Sequence, residues 1–218
     1  MNSFTRAHII PALLTFSLLG PALLSAQTKV ASPEEVSSGD IGKTQPGTTT
    51  IDSATNSYRI TGGGADMWGT SDAFRFWWTK LTGDATITAD VHFAPGTLVP
   101  LEKAVLIFRQ SLDPGSQYAD VALHADGHAT LQYRATAGGI TADTVSTEHH
   151  ATRLRIERRG DQFTAYVQSA DGKMVPMPPT TVAMSGDVYV GMGVCAHDAN
   201  GTATVTFSNV TIDRHPNP

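Results

Sequence analysis

The sequence predicts an all-β protein of antiparallel strands, arranged as a sandwich, a jelly roll or a barrel. Short runs rich in β-branched and aromatic residues alternate apolar and polar positions. Turn dipeptides such as Gly83-Asp84 and Asp126-Gly127 separate these runs. No long stretch has the roughly 3.6-residue period of an amphipathic helix. Many short strands joined by regular turns therefore indicate packed β-sheets.

Residues 1–26 predict a secretory signal peptide. Arg6 and His8 form a weakly basic start, residues 9–24 are almost wholly apolar, and Ser25-Ala26 offers a small-residue cleavage site. A transmembrane anchor is the alternative, but prolines interrupt a run that is short for a membrane span. We therefore expect cleavage after Ala26, a secreted or periplasmic protein, and no membrane span in the mature chain.

The remaining chain predicts one domain with a polar leader. Residues 27–50 are rich in Ser, Thr, Gly, Pro and charge, which favours a flexible N-terminal leader or a loosely docked first strand. The β-sandwich domain is expected over residues 51–213. The net charge of −5 and the lack of basic runs argue against nucleic acid as a partner. Cys195 is the only cysteine, so an internal disulfide is impossible and we interpret it as a small buried apolar residue.

Individual strands follow from the alternation. In Ala85–Phe93 every second residue is apolar. The triplet Gly62-Gly63-Gly64 is interpreted as a tight connection. We expect three hairpins, formed by residues 118–124 with 128–134, 153–158 with 162–168, and 188–196 with 202–210. The other predicted strands are Ser57–Thr61, Ala73–Thr79 and Ala104–Ser111.

A polar patch is predicted on the first of these hairpins. One face of residues 118–124 carries Asp120 and His124, and one face of residues 128–134 carries Gln132 and Arg134. Because paired strands share face polarity, these four side chains are expected on one sheet surface.

Two further polar residues are expected beside that patch. Arg109 ends a preceding strand. His197 follows a small-residue strand face that contains Gly191 and Gly193, where a ligand could approach the sheet closely.

Two interpretations of the polar surface stay open. It is either the solvated outer face of an antiparallel sheet or a groove that binds a sugar. Sugar hydroxyls pair with Asp, Gln, Arg and His, and sugar C–H faces stack on aromatic rings. Trp68, Trp77 and Trp78 are the candidates for stacking. Trp78 shares parity with two phenylalanines, which predicts a core position, so Trp77 is expected to be the exposed ring.

Other chemistry has weaker support in the sequence. No spacing among the histidines matches a zinc signature, and turn chemistry explains the aspartates without calcium. No nucleophile elbow and no closely spaced acidic pair on a strand is present. We therefore assign no metal, no cofactor and no catalytic residue.

Five motifs span about residues 38–213: ITGGGADMWGTSDAFRFWWTKLTGDATITADV, KAVLIFRQSLDPGSQYADVALHADGHATLQYR, LRIERRGDQFTAYV, YVGMGVCAHD and FSNV. Together they resemble the concanavalin A-like lectin/glucanase superfamily. The nearest branch is the small domains named for regulation of enolase, which also occur attached to Tol-type β-propeller proteins. The resemblance implies a jelly-roll sandwich of two antiparallel sheets, one of them concave and commonly used to bind carbohydrate.

One departure from the superfamily bears on activity. Glucanase members carry three acidic residues on one strand, whereas the comparable strand here, YADVALHAD, carries Asp120 and His124. This departure argues against glucanase activity. The calcium and manganese ligands of the lectins also have no clear counterpart in this sequence.

Three functions are carried forward. The first is an extracytoplasmic, lectin-like module that binds a glycan or polysaccharide. The second is a glycoside hydrolase or lyase on the same fold, with Asp120 or His124 as general base. The third is a cell-envelope interaction domain without a small ligand, whose protein partner the sequence does not name. In the first, Trp77 stacks on the sugar and the hydrogen-bonding residues are Arg109, Asp120, His124, Gln132, Arg134 and His197.

Overall fold

The computed structural model describes Met1, residues 36–96 and residues 99–215. Apart from Met1, the predicted signal peptide lies outside the described residues. These ranges contain no α-helix, and hence no helix that could cross a membrane. The strands are β1 (Val36–Ile41), β2 (Thr48–Asp52), β3 (Ser57–Gly64), β4 (Met67–Trp68), β5 (Ser71–Asp72), β6 (Phe74–Thr82), β7 (Asp84–Phe93), β8 (Lys103–Arg109), β9 (Tyr118–His124), β10 (His128–Arg134), β11 (Ala142–His149), β12 (Arg153–Arg159), β13 (Gln162–Gln168), β14 (Met174–Pro176), β15 (Thr180–Thr181), β16 (Asp187–Cys195) and β17 (Asp198–His215).

Two large antiparallel sheets form a sandwich, which confirms the predicted jelly-roll class. The front sheet has the spatial order β1-β6-β16-β8-β9-β10-β11. The back sheet has the order β14-β13-β12-β7-β17-β3-β2, and β15 also pairs with β13. Successive strands such as β6 and β7 lie in different sheets, so the chain repeatedly crosses between the two layers. β4 and β5 pair only with each other, as a short hairpin.

The main core lies between the sheets. Ile87 and Ala89 point inward from β7 in the back sheet, and Leu106 and Phe108 point inward from β8 in the front sheet. The alternation predicted for Ala85–Phe93 is confirmed, since Ile87, Ala89 and Val91 are all buried. Burial of this apolar surface is the main stabilising contribution to the sandwich.

A second apolar cluster lies on the outer face of the front sheet. It contains Phe74 and Phe76 of β6, Val105 and Ile107 of β8, and Met67 of the β4–β5 hairpin. Gly193 of β16 makes room for it, because a Cβ there would lie 2.7 Å from ring carbons of Phe74. The front sheet is therefore apolar on both faces over much of its width.

Residues 66–73, which we call the cover hairpin, fold over this outer face. The amide of Ala73 donates to the carbonyl of Asp66 at 2.8 Å and closes the base of the hairpin. The amide of Thr141 donates to the carbonyl of Gly69 near its tip, also at 2.8 Å. The cover hairpin buries Met67 and Asp72 against the sheet.

The sandwich includes residues before the predicted domain boundary at residue 51. β1 lies within residues 27–50, which were predicted to be a flexible leader or a loosely docked first strand, and β2 begins there. β1 pairs with β6 along its whole length, and β2 pairs with β3. The polar composition of this segment favoured a leader. The segment instead forms edge strands, and the exposed positions of edge strands are also polar.

Two local predictions are also corrected. Residues 188–196 and 202–210 do not form a hairpin, because β16 lies in the front sheet and β17 in the back sheet. Gly62-Gly63-Gly64 is not a connection but the end of β3. A Cβ at Gly62 would lie 2.3 Å from the carbonyl oxygen of Val194, so the glycine permits a close approach of the two sheets.

Candidate functional site

The predicted polar set lies on one surface. In the β9–β10 hairpin, whose predicted bounds are confirmed, Asp120 is directly opposite Gln132, and the Nε2 atom of His124 is 3.3 Å from the hydroxyl of Thr130. Arg134 follows on the same face, opposite Tyr118. Strand parity therefore placed these side chains together correctly.

The two arginines of the predicted set are buried structural residues. Arg134 donates to both carboxylate oxygens of Asp72, at 2.7 and 2.8 Å, and Arg109 donates to one of them at 2.5 Å. All three side chains are fully buried. Asp72 belongs to the cover hairpin, so this triad, which we call the clamp, fastens the hairpin to the front sheet.

Backbone carbonyls use most of the remaining guanidinium hydrogens of the clamp. Arg134 donates to the carbonyls of Gly139 at 3.0 Å and of Ser116 at 3.1 Å. Arg109 donates to the carbonyl of Asp113 at 2.7 Å. Charge-assisted hydrogen bonds of this kind are strong when water is excluded. Neither arginine presents exposed surface to a ligand, so their predicted role in direct ligand contact is not supported by this geometry.

Trp77 is also misplaced by the prediction. Its side chain is 3% exposed and packs in the core between the sheets, with its ring 4.8 Å from that of Tyr58. Trp78 faces the outer side instead, where it packs beside Phe76. The parity argument failed because Phe74, Phe76 and Trp78 pack in the apolar cluster on the outer face of the front sheet, and not in the core between the sheets.

Lys103 organises the charged end of the outer face, at the start of β8. Its ammonium donates to the carboxylate of Asp66 at 2.6 Å and to the carbonyl of Met67 at 3.1 Å. The same ammonium lies 5.6 Å from the centre of the Trp68 ring, in cation–π range. The Nδ1 atom of His197 is 3.6 Å from the Asp66 carboxylate, which places this predicted residue beside the cluster.

Two histidines extend the cluster onto β9 and β10. The rings of His124 and His128 stack at 3.8 Å with an angle of 10° between their planes. His128 also contacts the carboxylate of Asp126 through Nδ1 at 2.5 Å. Burial, with smaller electrostatic contributions from His128 and Lys103, lowers the pKa of His124 to about 3. His124 is therefore neutral at physiological pH and can donate or accept a hydrogen bond.

Asp120 and Gln132 lie beneath the cover hairpin. Asp120 is 0% exposed, and among the described residues neither of its carboxylate oxygens has a hydrogen-bond partner. The side-chain oxygen of Gln132 also has none there. Burial raises the pKa of Asp120 well above its ordinary value, and the charge of Asp72 adds to the effect. Asp120 is thus held in a site that favours its protonated form.

The accessible part of this surface has one exposed ring. Trp68, on the cover hairpin, is 39% exposed. We call the group of Asp66, Trp68, Lys103, His128 and His197 the charged patch. Lys103 is its buried member, with a side chain 4% exposed, and the other four are partly exposed. Trp68 was one of the three tryptophans considered for stacking, but the residues around it do not alternate over a long enough stretch to predict that it is exposed. Lys103 and Asp66 were missed because they become neighbours only when the hairpin folds over the sheet.

Solved structures share this fold at low sequence identity. A Saccharomyces cerevisiae protein described as functionally unknown matches with a TM-score of 0.62 and 16% identity, covering 84% of this chain and 98% of that one. A carbohydrate-binding module from Bacillus subtilis, CBM66, matches with a TM-score of 0.54 and 16% identity, covering 81% and 95%. The metal-free lectin I-B4 of Griffonia simplicifolia matches with a TM-score of 0.53 and 8% identity, covering 83% and 93%.

These similarities establish the fold. The chain has the concanavalin A-like jelly roll, an architecture that is also found in lectins and carbohydrate-binding modules. No family model matches the sequence, and no curated protein is similar to it in sequence. Because a shared fold does not determine a shared function, the functional argument depends on the site.

Proposed function

We propose that this protein is an extracytoplasmic carbohydrate-binding module whose ligand contacts the charged patch. The observation that carries the proposal is the exposed ring of Trp68, which lies 5.6 Å from the buried ammonium of Lys103, itself paired with the partly exposed carboxylate of Asp66. An exposed tryptophan offers a flat apolar surface for a sugar ring, and the surrounding charged and imidazole groups pair with its hydroxyls.

The buried members of the predicted set act through the exposed ones. His124 stacks on His128 and fixes the position of that ring. Arg109 and Arg134 hold the cover hairpin, and with it Trp68, in place through Asp72. In this proposal they are positioning residues, and the contacts with sugar come from the charged patch.

A glycan array tests the proposal. We expect the wild-type protein to bind a defined set of saccharides, and Trp68→Ala to lose at least about tenfold in affinity, which corresponds to about 1.4 kcal/mol. Ile51→Ala is the matched control, because Ile51 is a similarly exposed apolar residue, at 44%, on β2 of the back sheet. Equal binding by wild type and Trp68→Ala would contradict the assignment of the site.

The hydrolase or lyase alternative has less support from the geometry. Asp120 is fully buried beneath the hairpin, and His124 is almost fully buried. A histidine whose pKa is lowered to about 3 is a weak general base at neutral pH. Steady release of reducing ends or of unsaturated uronate from a polysaccharide panel would instead support the enzyme. A defined protein partner in a pull-down, without glycan binding, would support the interaction-domain alternative.

The extracytoplasmic location belongs to the same proposal. It is supported by the basic, apolar and small-residue order of residues 1–26. N-terminal sequencing of the exported protein should begin at Gln27. Retention of residues 1–26 in a cytosolic protein would contradict this location. We also propose that the chain is related to the small domains named for regulation of enolase, which its sequence motifs resemble.

A further inference from the structure

We infer that the ligand also contacts a second area of the molecule, a cleft that contains two histidines, and that it is therefore an oligosaccharide. This inference depends on the proposed function. The cleft lies between the β11–β12 turn and the β13–β14 turn, and its volume of about 520 Å³ is typical of small-molecule sites. We call it the histidine cleft. Its lining includes His149 and His150 of the first turn, and Gln168, Ser169 and Gly172 of the second.

The backbone at His150 brings two successive histidines to the same cleft. Successive side chains on a strand point to opposite faces. His150 instead has a φ of 55°, in the left-handed region that residues other than glycine rarely adopt. Its amide donates to the carbonyl of Gly127 at 2.6 Å, which anchors this conformation to the β9–β10 turn. The ring centres of His149 and His150 are 6.5 Å apart, and such held backbone strain is typical of functional sites.

The two imidazoles are the groups of the histidine cleft that are free to bind a ligand. The hydroxyl of Thr152 donates to the side-chain oxygen of Gln168 at 3.1 Å, and the amide of Gln168 donates to the carbonyl of Gly172 at 3.4 Å. These hydrogen bonds join the two walls of the cleft. Within the part of the chain that the structure describes, neither His149 nor His150 has a side-chain hydrogen bond. An imidazole both donates and accepts hydrogen bonds, as sugar hydroxyls do.

A row of side chains connects the histidine cleft to the charged patch. Lys103 of β8 is directly opposite His124 of β9, whose ring stacks on that of His128 at 3.8 Å. His128 of β10 is in turn opposite His149 of β11. Lys103 and His124 are buried, whereas His128 is partly exposed and His149 is exposed. The row crosses three strand spacings of about 4.8 Å each, or about 14 Å in all.

Accessible groups therefore lie at both ends of this row. The exposed ring of Trp68 lies near Lys103 at one end, and His149 and His150 line the cleft at the other. A single sugar ring cannot span this distance, whereas an oligosaccharide can. Because sugar units that reach the histidine cleft gain hydrogen bonds with its imidazoles, we expect affinity to rise with chain length.

Chain-length dependence tests the inference. The probes are di- to hexasaccharides of laminarin, xylan, maltodextrin and polygalacturonate, titrated by calorimetry. For whichever series binds, we expect affinity to rise at least about tenfold from disaccharide to hexasaccharide. A double variant, His149→Ala with His150→Asn, should bind the disaccharide within about twofold of wild type and lose the gain with chain length. Asparagine is used at the second position because it tolerates the left-handed region.

Two further variants serve as controls. His92→Ala replaces an exposed histidine on β7 of the back sheet and should leave the binding of every probe unchanged. Trp68→Ala should weaken the binding of short and long probes alike, because both contact the charged patch. Thermal melts check that the double variant is folded, which we expect because both replaced side chains are exposed.

Different failures of this experiment are distinguishable. The inference is overturned, while carbohydrate binding stands, if affinity does not change with chain length or if the double variant binds the hexasaccharide as tightly as wild type does. It is also overturned if the double variant weakens the disaccharide and the hexasaccharide equally. If no probe binds, the proposed function and this inference both fail.

Discussion

Single side chains on the outer face of the front sheet divide into two groups that a strand pattern cannot distinguish. Arg109 and Arg134 donate their hydrogen bonds to Asp72 and to backbone carbonyls. The buried ammonium of Lys103 instead lies 5.6 Å from the centre of the exposed Trp68 ring. Lys103 and Arg109 are both cations with the same parity on β8, and the cover hairpin gives them different partners.

Asp120 is a side chain that costs stability at neutral pH. Its pKa is raised above 3.8, mainly by burial. A group with a raised pKa stabilises the folded state fully below the unfolded value, and this contribution is lost as the pH rises. Asp120→Asn, which carries no charge to bury, should therefore stabilise the protein at neutral pH by about 1–3 kcal/mol in urea denaturation.

The control for that substitution is Asp143→Asn. Asp143 is an exposed residue opposite Gln132 on β11, so its replacement should leave stability nearly unchanged. If Asp120→Asn were as destabilising as the loss of a clamp residue, Asp120 would have to be ionised and paired in the folded protein.

His124 should make stability depend on pH in the opposite direction. Its pKa is lowered from 6.5 to about 3, chiefly by burial. Between those values the unfolded chain binds the proton more strongly, so stability falls as the pH drops from 6.5 toward 3. In thermal melts, His124→Gln should reduce this acid sensitivity, whereas His149→Gln, at an exposed position, should not. Equal acid sensitivity of wild type and His124→Gln would contradict the burial effect.

For single residues, the sequence predicted which side chains lie next to each other better than it predicted which of them are exposed to a ligand. A period of two was enough to bring Asp120, His124, Gln132 and Arg134 onto one face. Exposure was not predictable, because it depends on a hairpin that arrives from a different part of the chain. The choice of Trp77 over Trp68 failed for that reason.

Among the secondary-structure elements, the cover hairpin does most to shape the site. It supplies Trp68 and Asp66, buries Asp120, and is fastened by Asp72. A hairpin of two-residue strands has little intrinsic stability, so its position depends on tertiary contacts.

Loss of the clamp should therefore destabilise the protein strongly. Asp72→Ala leaves Arg109 and Arg134 buried without their carboxylate partner, and we expect a loss of about 3–5 kcal/mol in chemical denaturation. The matched control is Asp171→Ala, which breaks an exposed ion pair with Lys173 and should leave the free energy of unfolding nearly unchanged. A similar small effect at both positions would mean that the hairpin is not held by the clamp.

Elements with clear alternation and tight turns were predicted well, and the others were not. The β9–β10 hairpin has the predicted bounds because Asp126-Gly127 marks its turn. β1 and β2 are short polar edge strands without such a signal. β16 and β17 follow one another closely in the chain, yet belong to different sheets, which is a property of the topology and not of the local sequence.

Over the whole molecule, the only cysteine reports on the integrity of the sandwich. The thiol of Cys195 is buried beside the carbonyl of Gly64 at 3.4 Å, and burial raises its pKa to about 12. The predicted interpretation of Cys195 as a buried apolar residue is confirmed. Aromatic disulfide reagents at neutral pH should react with it only after unfolding, at a rate set by the opening of the sheets. Fast labelling of the native protein would indicate that the outer cluster is open to solvent.

Iodide quenching of tryptophan fluorescence, with and without a saturating saccharide from the binding panel, tests the central claim most directly. Trp77 is buried in the core, whereas Trp68 is exposed on the charged patch. We predict that the saccharide protects a quenchable fraction of the emission, and that Trp68→Phe removes this fraction. Saturating saccharide that leaves the quenching of Trp68 unchanged would contradict the assignment of this surface as the binding site.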